Sequence, residues 1–178
     1  MAKHIETFKG WAETFRTDVA ALKALVEEKG ADMEARKLAV GALSYLVTRM
    51  DLVPDWNEGI GMMDDIMVVR VCAQMASHHK LGALEASAEL AIGRMANEAE
   101  KITDFLGADL YDKLRQYCAK LEETAVRGRT PQLVISEGAA RLALYTEVDD
   151  EIKRSVPIVV ADPDDAELRL KSYLAQKL

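Results

Sequence analysis

Four aspartates lie close together around a proline and a short glycine-bearing segment. They are Asp51, Asp55, Asp64 and Asp65, in the stretch MDLVPDWNEGIGMMDD. Hard divalent cations prefer carboxylate and carbonyl oxygens, so such a group could bind Mg²⁺, Mn²⁺ or Ca²⁺. The spacing differs from that of an EF-hand loop, and two adjacent aspartates cannot both point in the same direction. A divalent-cation site is therefore one hypothesis for this segment.

The same aspartates also have a structural interpretation. Asp64 and Asp65 open a predicted helix, where backbone N–H groups lack partners and the helix dipole favours anions. A carboxylate there can also accept N–H bonds from the turn at 52–55, and charge-assisted bonds of this kind are strong. Clustered carboxylates without donors or a cation raise one another's pKa. We favour bonding to backbone N–H groups and keep the cation as the alternative.

Groups that could carry out catalysis are sparse in this sequence. It contains no glycine-rich phosphate loop, nucleophile elbow or zinc-protease motif. His78 and His79 follow Asp64 by about 14 residues, which places them roughly 20 Å away on one straight helix. We therefore expect a protein without catalytic residues or a bound cofactor. A metal-dependent hydrolase that uses the aspartates is a weaker alternative.

The aspartates lie between two apolar segments that are predicted to be helices. Pro54 disfavours helix at the residue before it, so the chain should turn there. Gly61 supplies a flexible position before the second segment. So short a link should fold the two helices back on each other as an antiparallel hairpin, which would bring the first two aspartates close to the last two.

This segment resembles a bacterial family, the YkvA-like domain of unknown function, over roughly residues 38–75. The pattern is an apolar helix, Asp-x-x-Pro-Asp, a short link with glycine, Asp-Asp and a second apolar helix. The matching positions are Asp51, Pro54, Asp55, Gly61, Asp64 and Asp65. The resemblance implies a helical hairpin, which we assign to 38–80, and it brings no established catalytic function.

An apolar stripe runs along the first predicted helix, with charged residues between its members. The spacing predicts one continuous helix that ends at Gly30. We interpret the stripe as packed against the rest of the domain. Self-association is the alternative, because the spacing also suits coiled-coil contacts. The residues proposed for such a seam are Ile5, Phe8, Phe15, Val19 and Leu22.

Similar periodicity along the chain predicts an all-α bundle of six to seven helices in a single domain, 1–178. The second helix is expected over 32–50, with Asp32 as its N-cap, and the third over 62–80. A sixth helix is expected to begin after Thr130, although 132–136 also reads as a strand. The acidic connector and terminal helix at 148–178 are a candidate appendage.

Composition excludes several functional classes. The chain has 178 residues and a formal net charge of −7, which argues against general binding of nucleic acids. Its most apolar run, 38–47, is about half the length that a bilayer-spanning helix needs. Cys72 and Cys118 lack metal or redox spacing and are expected to be buried free thiols.

These observations lead to one functional expectation and two alternatives. We expect a cytoplasmic, non-catalytic protein that acts through contacts with itself or with another protein. The first alternative is a divalent-metal-binding protein that uses the four aspartates. The second and weaker alternative is peripheral association with membranes, which the acidic net charge disfavours at anionic surfaces.

Overall fold

The computed structural model describes residues 3–48, 51–57, 59–155 and 157–178. These residues form an all-α fold and contain no β-strand, as the periodicity predicts. The prediction of six to seven helices was wrong, because the described residues form nine. The helices are α1 (Lys3–Ala12), α2 (Phe15–Glu27), α3 (Met33–Val47), α4 (Met63–Ala76), α5 (Ala86–Leu106), α6 (Ala108–Lys120), α7 (Pro131–Ser136), α8 (Gly138–Arg154) and α9 (Pro163–Lys177).

The first predicted helix is two helices, α1 and α2, with a break at 13–14. At the break, the hydroxyl oxygen of Thr14 lies 3.1 Å from the carbonyl oxygen of Trp11 and 2.9 Å from Oδ2 of Asp18. Such local side-chain bonds compete with continued helix. The apolar stripe keeps its spacing across the break, which explains why periodicity alone does not reveal it.

The sixth predicted helix is likewise divided, into α7 and α8. Thr130 caps α7 by accepting a hydrogen bond from the backbone N–H of Leu133 at 3.2 Å, and Pro131 occupies the first turn. Glu137 has extended backbone angles and separates the two helices. The strand alternative for 132–136 was therefore wrong, since α7 covers this segment.

Two of the predicted helix ends also differ from the structure. Helix α3 ends at Val47, and Met50 lies outside the described residues; helix α4 ends at Ala76, before the predicted 80. Asp32 makes no side-chain cap bond to its own helix. Its Oδ2 instead accepts a bond from the backbone N–H of Lys80 at 2.9 Å, which ties the start of α3 to the chain beyond α4.

Helix α4 lies at the centre of the fold and contacts α1, α2, α3, α5 and α6. Its residues are buried on nearly every face, as predicted for a helix that is apolar all round. Helix α9 packs on α1 and buries Ala166, Leu170 and Leu174. Cys72 and Cys118 are free and buried, as expected.

A buried ionic network joins α4 to its neighbours. Arg70 is fully buried and lies 3.2 Å from Asp18 and 2.7 Å from Glu98. Its guanidinium lies 4.5 Å from the centre of the Trp11 ring. Arg94 also pairs with both acids. The network compensates the charge of an arginine in the middle of the most buried helix.

In the described part of the chain, no helix combines the length and the apolar character needed to cross a bilayer.

Candidate cation site between α3 and α4

Asp64 is the residue that connects α3, the following link and α4. Its side chain is fully buried at the start of α4. Oδ2 accepts a hydrogen bond from the hydroxyl of Tyr45 on α3 and a second from the backbone N–H of Val53 at 3.2 Å. The same hydroxyl accepts a bond from the backbone N–H of Leu52 at 2.8 Å. One carboxylate oxygen is thus bound to both the link and α3.

The other oxygen of this carboxylate has no such partners. Oδ1 of Asp64 is buried and forms no hydrogen bond with any described residue. Buried polar atoms are nearly always paired, and an unpaired one costs about 1–3 kcal/mol, more if it is charged. An unpaired carboxylate oxygen at this position is therefore available to a proton, a water molecule or a cation.

Two further carboxylates lie beside Asp64. Asp51, Asp64 and Asp65 each offer an oxygen, and these oxygens lie within 4.8 Å of one another. The expectation that the adjacent Asp64 and Asp65 cannot both point in the same direction was therefore wrong. A cation holds its oxygen ligands at about 2.0–2.6 Å, so ligands on one ion are at most about 5 Å apart. The spacing of the three oxygens therefore fits a single divalent ion.

Asp55, the fourth predicted ligand, is exposed and lies outside the group of three. Its carboxyl group is within hydrogen-bonding reach of that of Asp51. The structure thus brings three of the four predicted ligands together and leaves the fourth at their edge.

Burial and mutual repulsion dominate the electrostatics of this group. Burial, followed by the charges of Asp55 and Asp64, raises the pKa of Asp51 to about 8. Burial raises the pKa of Asp64 to about 7, although the Tyr45 hydroxyl and the backbone N–H groups of Val53, Asp64 and Asp65 oppose the shift. The pKa of Asp65 is also raised well above its usual value, first by burial.

Among the described residues, no lysine or arginine nitrogen lies within 4.0 Å of the carboxylates of Asp51, Asp64 and Asp65. Within the described ranges, no side-chain cation therefore neutralises the group at close range. Its charge can be relieved by uptake of protons or by binding of a cation.

Glycine and proline shape the link that carries Asp51 and Asp55. The carbonyl of Pro54 accepts a bond from the backbone N–H of Asn57 at 3.0 Å, which closes a turn. A Cβ atom at Gly61 would lie 2.6 Å from the carbonyl oxygen of Asp55, so this position requires glycine because of close approach.

Two residues of the site were missed at the sequence level. Tyr45 lies within the most apolar run, where a buried tyrosine needs a partner for its hydroxyl. This need could have indicated a polar contact between Tyr45 and a residue of the link or of the next helix. Glu151 on α8 adds to the negative potential at Asp51 and Asp65, although it is far away in sequence. No local pattern points to Glu151, since only the tertiary fold brings it near.

Two concave surfaces adjoin the carboxylates. A cavity of about 330 Å³ is lined by Asp65, Asp55 and Glu151 together with apolar side chains. A wider groove of about 1570 Å³ is lined by Asp51, Asp55 and Glu151 among others. Asp65 therefore lies at the first concave surface and Asp51 at the second.

The five residues predicted for a self-association seam lie elsewhere. Each is buried within the chain's own core, on α1 or α2: Ile5, Phe8, Phe15, Val19 and Leu22. Their apolar surface is therefore already covered by intrachain contacts.

Comparison with known proteins gives one match. Neither the curated proteins nor the solved structures include a significant match to this chain. Residues 35–70, about a fifth of the chain, match the model of a family described as "Protein of unknown function (DUF1232)". The matched residues include most of α3, the link with its aspartates and the first half of α4. This match confirms the predicted resemblance to a domain of unknown function over this part of the chain.

Proposed function

We propose that the protein binds a divalent cation, Mg²⁺, Mn²⁺ or Ca²⁺, through the carboxylates of Asp51, Asp64 and Asp65. The observation that carries the proposal is the buried, unpartnered Oδ1 of Asp64 within a group of three carboxylate oxygens less than 4.8 Å apart. Carboxylates are the preferred ligands of these hard cations.

The charge of the group supports this assignment. Three ionised carboxylates carry three negative charges, and a divalent ion would neutralise two of them. The raised pKa values of Asp51 and Asp64 reflect a site in which negative charge is poorly tolerated without such compensation. Water can supply the remaining oxygen ligands, because these ions take six or more.

The cation would have a structural role in this arrangement. Asp51 lies in the link, whereas Asp64 and Asp65 belong to α4, and Asp64 is also bonded to α3 through Tyr45. An ion shared by the three carboxylates would hold the two helices and their link together. We propose that 38–80 acts as a helical hairpin whose closed form is stabilised by the ion.

Self-association in the cytoplasm stays a prediction. The five stripe residues are used within the chain, so an interface between copies would have to use another face. Size-exclusion chromatography with light scattering, with and without divalent cation, would measure the mass of the particle in solution and decide this point.

Calorimetric titration of chelator-treated protein with MnCl₂, MgCl₂ and CaCl₂ tests the cation site directly. We expect one saturable site in the wild-type protein and loss of that site in Asp64→Asn. Asp109→Asn is the matched control, because Asp109 also lies in the first turn of a helix but is exposed. Absence of heat for all three ions, together with a melting temperature that chelator does not change, would overturn the proposal.

A further inference from the structure

The 330 Å³ cavity has apolar walls built from separate parts of the chain. Phe15 comes from α2, Leu46 from α3 and Ile152 from α8, while Met62 and Ile158 lie in the segments that precede α4 and α9. Three of these side chains are buried and two are half-buried. Its volume lies at the lower end of the range for small-molecule sites, about 300–1,000 Å³. The cavity therefore suits the body of a small apolar molecule.

The polar end of this cavity is acidic. Asp55, Asp65 and Glu151 contribute carboxylates, whereas the one cationic side chain of the described lining is Arg154. Arg154 lies 2.8 Å from a carboxylate oxygen of Glu151, so that pair is mutually compensated. Asp55 and Asp65 remain as acidic groups at the edge of an apolar space, without a cationic partner among the described lining residues. This combination disfavours an anionic ligand and favours a cationic one.

We propose that this cavity binds a small organic cation, a primary ammonium attached to an apolar chain of about six carbons. The ammonium donates hydrogen bonds to Asp55 and Asp65, and the chain contacts the apolar walls. The charge-assisted bonds give the preference for a cation, and burial of the chain gives affinity. The site shares Asp65 with the proposed divalent-cation site but does not rest on it, since Asp55 lies outside that group.

Three probes with the same six-carbon chain separate the contribution of the charged group to binding from that of the apolar chain. Binding of n-hexylammonium, n-hexanol and hexanoate to the chelator-treated full chain is measured by calorimetry at physiological salt. We expect hexylammonium to bind at least about tenfold more tightly than hexanol, because a charge-assisted hydrogen bond is about twice as strong as a neutral one. Hexanoate should bind more weakly than hexanol, since it meets carboxylates.

Variants then test the acidic end and the apolar wall of the cavity separately. Asp55→Asn should weaken binding of hexylammonium about fivefold or more and leave hexanol unchanged, as expected for loss of a charged contact. Asp55 is exposed, so this variant should fold normally. Ile158→Asn should weaken both probes, because Ile158 is part of the apolar wall. Asp109→Asn, far from the cavity in sequence, should change neither.

The same measurements distinguish this proposal from the divalent-cation proposal. Asp64→Asn should abolish binding of Mn²⁺ and keep that of hexylammonium, because Asp64 does not line the cavity. Asp55→Asn should weaken binding of hexylammonium and keep that of Mn²⁺, because Asp55 lies outside the group of three carboxylates. Equal affinity for hexylammonium and hexanol would overturn the ammonium proposal. So would tighter binding of hexanoate than of hexylammonium when Mn²⁺ is present, because the acidic end would then hold an anion through a metal.

Discussion

The Tyr45 hydroxyl on α3 donates a hydrogen bond to Oδ2 of Asp64, the first acidic residue of α4. Both side chains are fully buried. Burial, followed by the negative charge of Asp64, raises the pKa of Tyr45, so the phenol stays protonated and remains a donor. This contact links two helices that are separated in sequence by the acidic link, and it leaves Oδ1 of Asp64 available for another partner.

Tyr45→Phe should therefore destabilise the protein. The substitution leaves Oδ2 of Asp64 short of a donor and the backbone N–H of Leu52 without its acceptor. We expect a loss of about 1–3 kcal/mol in the free energy of unfolding, measured by urea denaturation. Tyr145→Phe is the control, because that hydroxyl makes one long contact of 3.4 Å; its loss should cost less than about 0.5 kcal/mol. Equal effects of the two substitutions would contradict the role of Tyr45.

Asp65→Asn should remove the response to divalent cations. In wild-type protein, MnCl₂ should raise the melting temperature and chelator should lower it, since a ligand that binds only the folded state stabilises it. The variant lacks one of the three ligand oxygens and should respond to neither. At mildly alkaline pH without cation, it should be at least as stable as wild type, because an amide replaces a carboxylate that burial and Asp64 disfavour. Thermal melts of both proteins with and without MnCl₂ measure this.

The sequence predicted the helical class and the grouping of the aspartates because both follow from local rules. Apolar periodicity indicates helices, and Pro54 disfavours helix at the residue before it. The hydrogen bond from the backbone N–H of Val53 to Asp64 was also predictable from the sequence, because a carboxylate at a helix start readily accepts bonds from nearby N–H groups.

Other features were inaccessible to sequence reasoning for physical reasons. The break between α1 and α2 depends on hydrogen bonds of Thr14 that leave the apolar spacing intact. Glu151 reaches the site only through the packing of α8 on α3. The unpaired state of Oδ1 of Asp64 depends on where Tyr45 and Val53 place their donors, which no periodic pattern encodes.

Gly61→Ala should destabilise the link between α3 and α4. The added Cβ would lie 2.6 Å from the carbonyl oxygen of Asp55, so the backbone would have to shift. We expect a loss of about 1–3 kcal/mol in the free energy of unfolding and weaker binding of Mn²⁺. Gly93→Ala is the matched control: it lies in α5 with no atom near the new Cβ, and should stabilise by about 0.5–1 kcal/mol. Denaturation curves of the two variants should therefore move in opposite directions.

Arg70→Met should be among the most destabilising single substitutions. It removes the cation that lies 3.2 Å from Asp18, whose side chain is fully buried. Breaking a buried pair by removing one partner costs about 3–5 kcal/mol. Arg94→Met should cost less, because a third of the Arg94 side chain is exposed and Arg70 still faces Asp18. A chemical denaturation series that ranks Arg94→Met below Arg70→Met in stability would contradict this account.

Stability without cation should fall as the pH rises through the range in which the buried carboxylates ionise. The pKa of Asp51 is raised from 3.8 to about 8 and that of Asp64 to about 7, so the folded state binds more protons than the unfolded state between these limits. The free energy of unfolding must then decrease with increasing pH across this window. Asp64 should contribute more to the decrease than Asp51, because Asp51 is only half-buried and solvent screens its charge.

Saturating MnCl₂ should reduce the loss of stability with increasing pH, because the cation stabilises the ionised carboxylates. Thermal melts from pH 4 to pH 8 test this prediction across the window that the two raised pKa values define. The wild-type protein is measured in chelator and in MnCl₂, and Asp51→Asn is measured in chelator. Asp51→Asn in chelator should lose less stability towards the alkaline end than wild type, since one of the ionising groups is gone. A wild-type protein in chelator that becomes more stable towards pH 8 would contradict the assignment of uncompensated carboxylates.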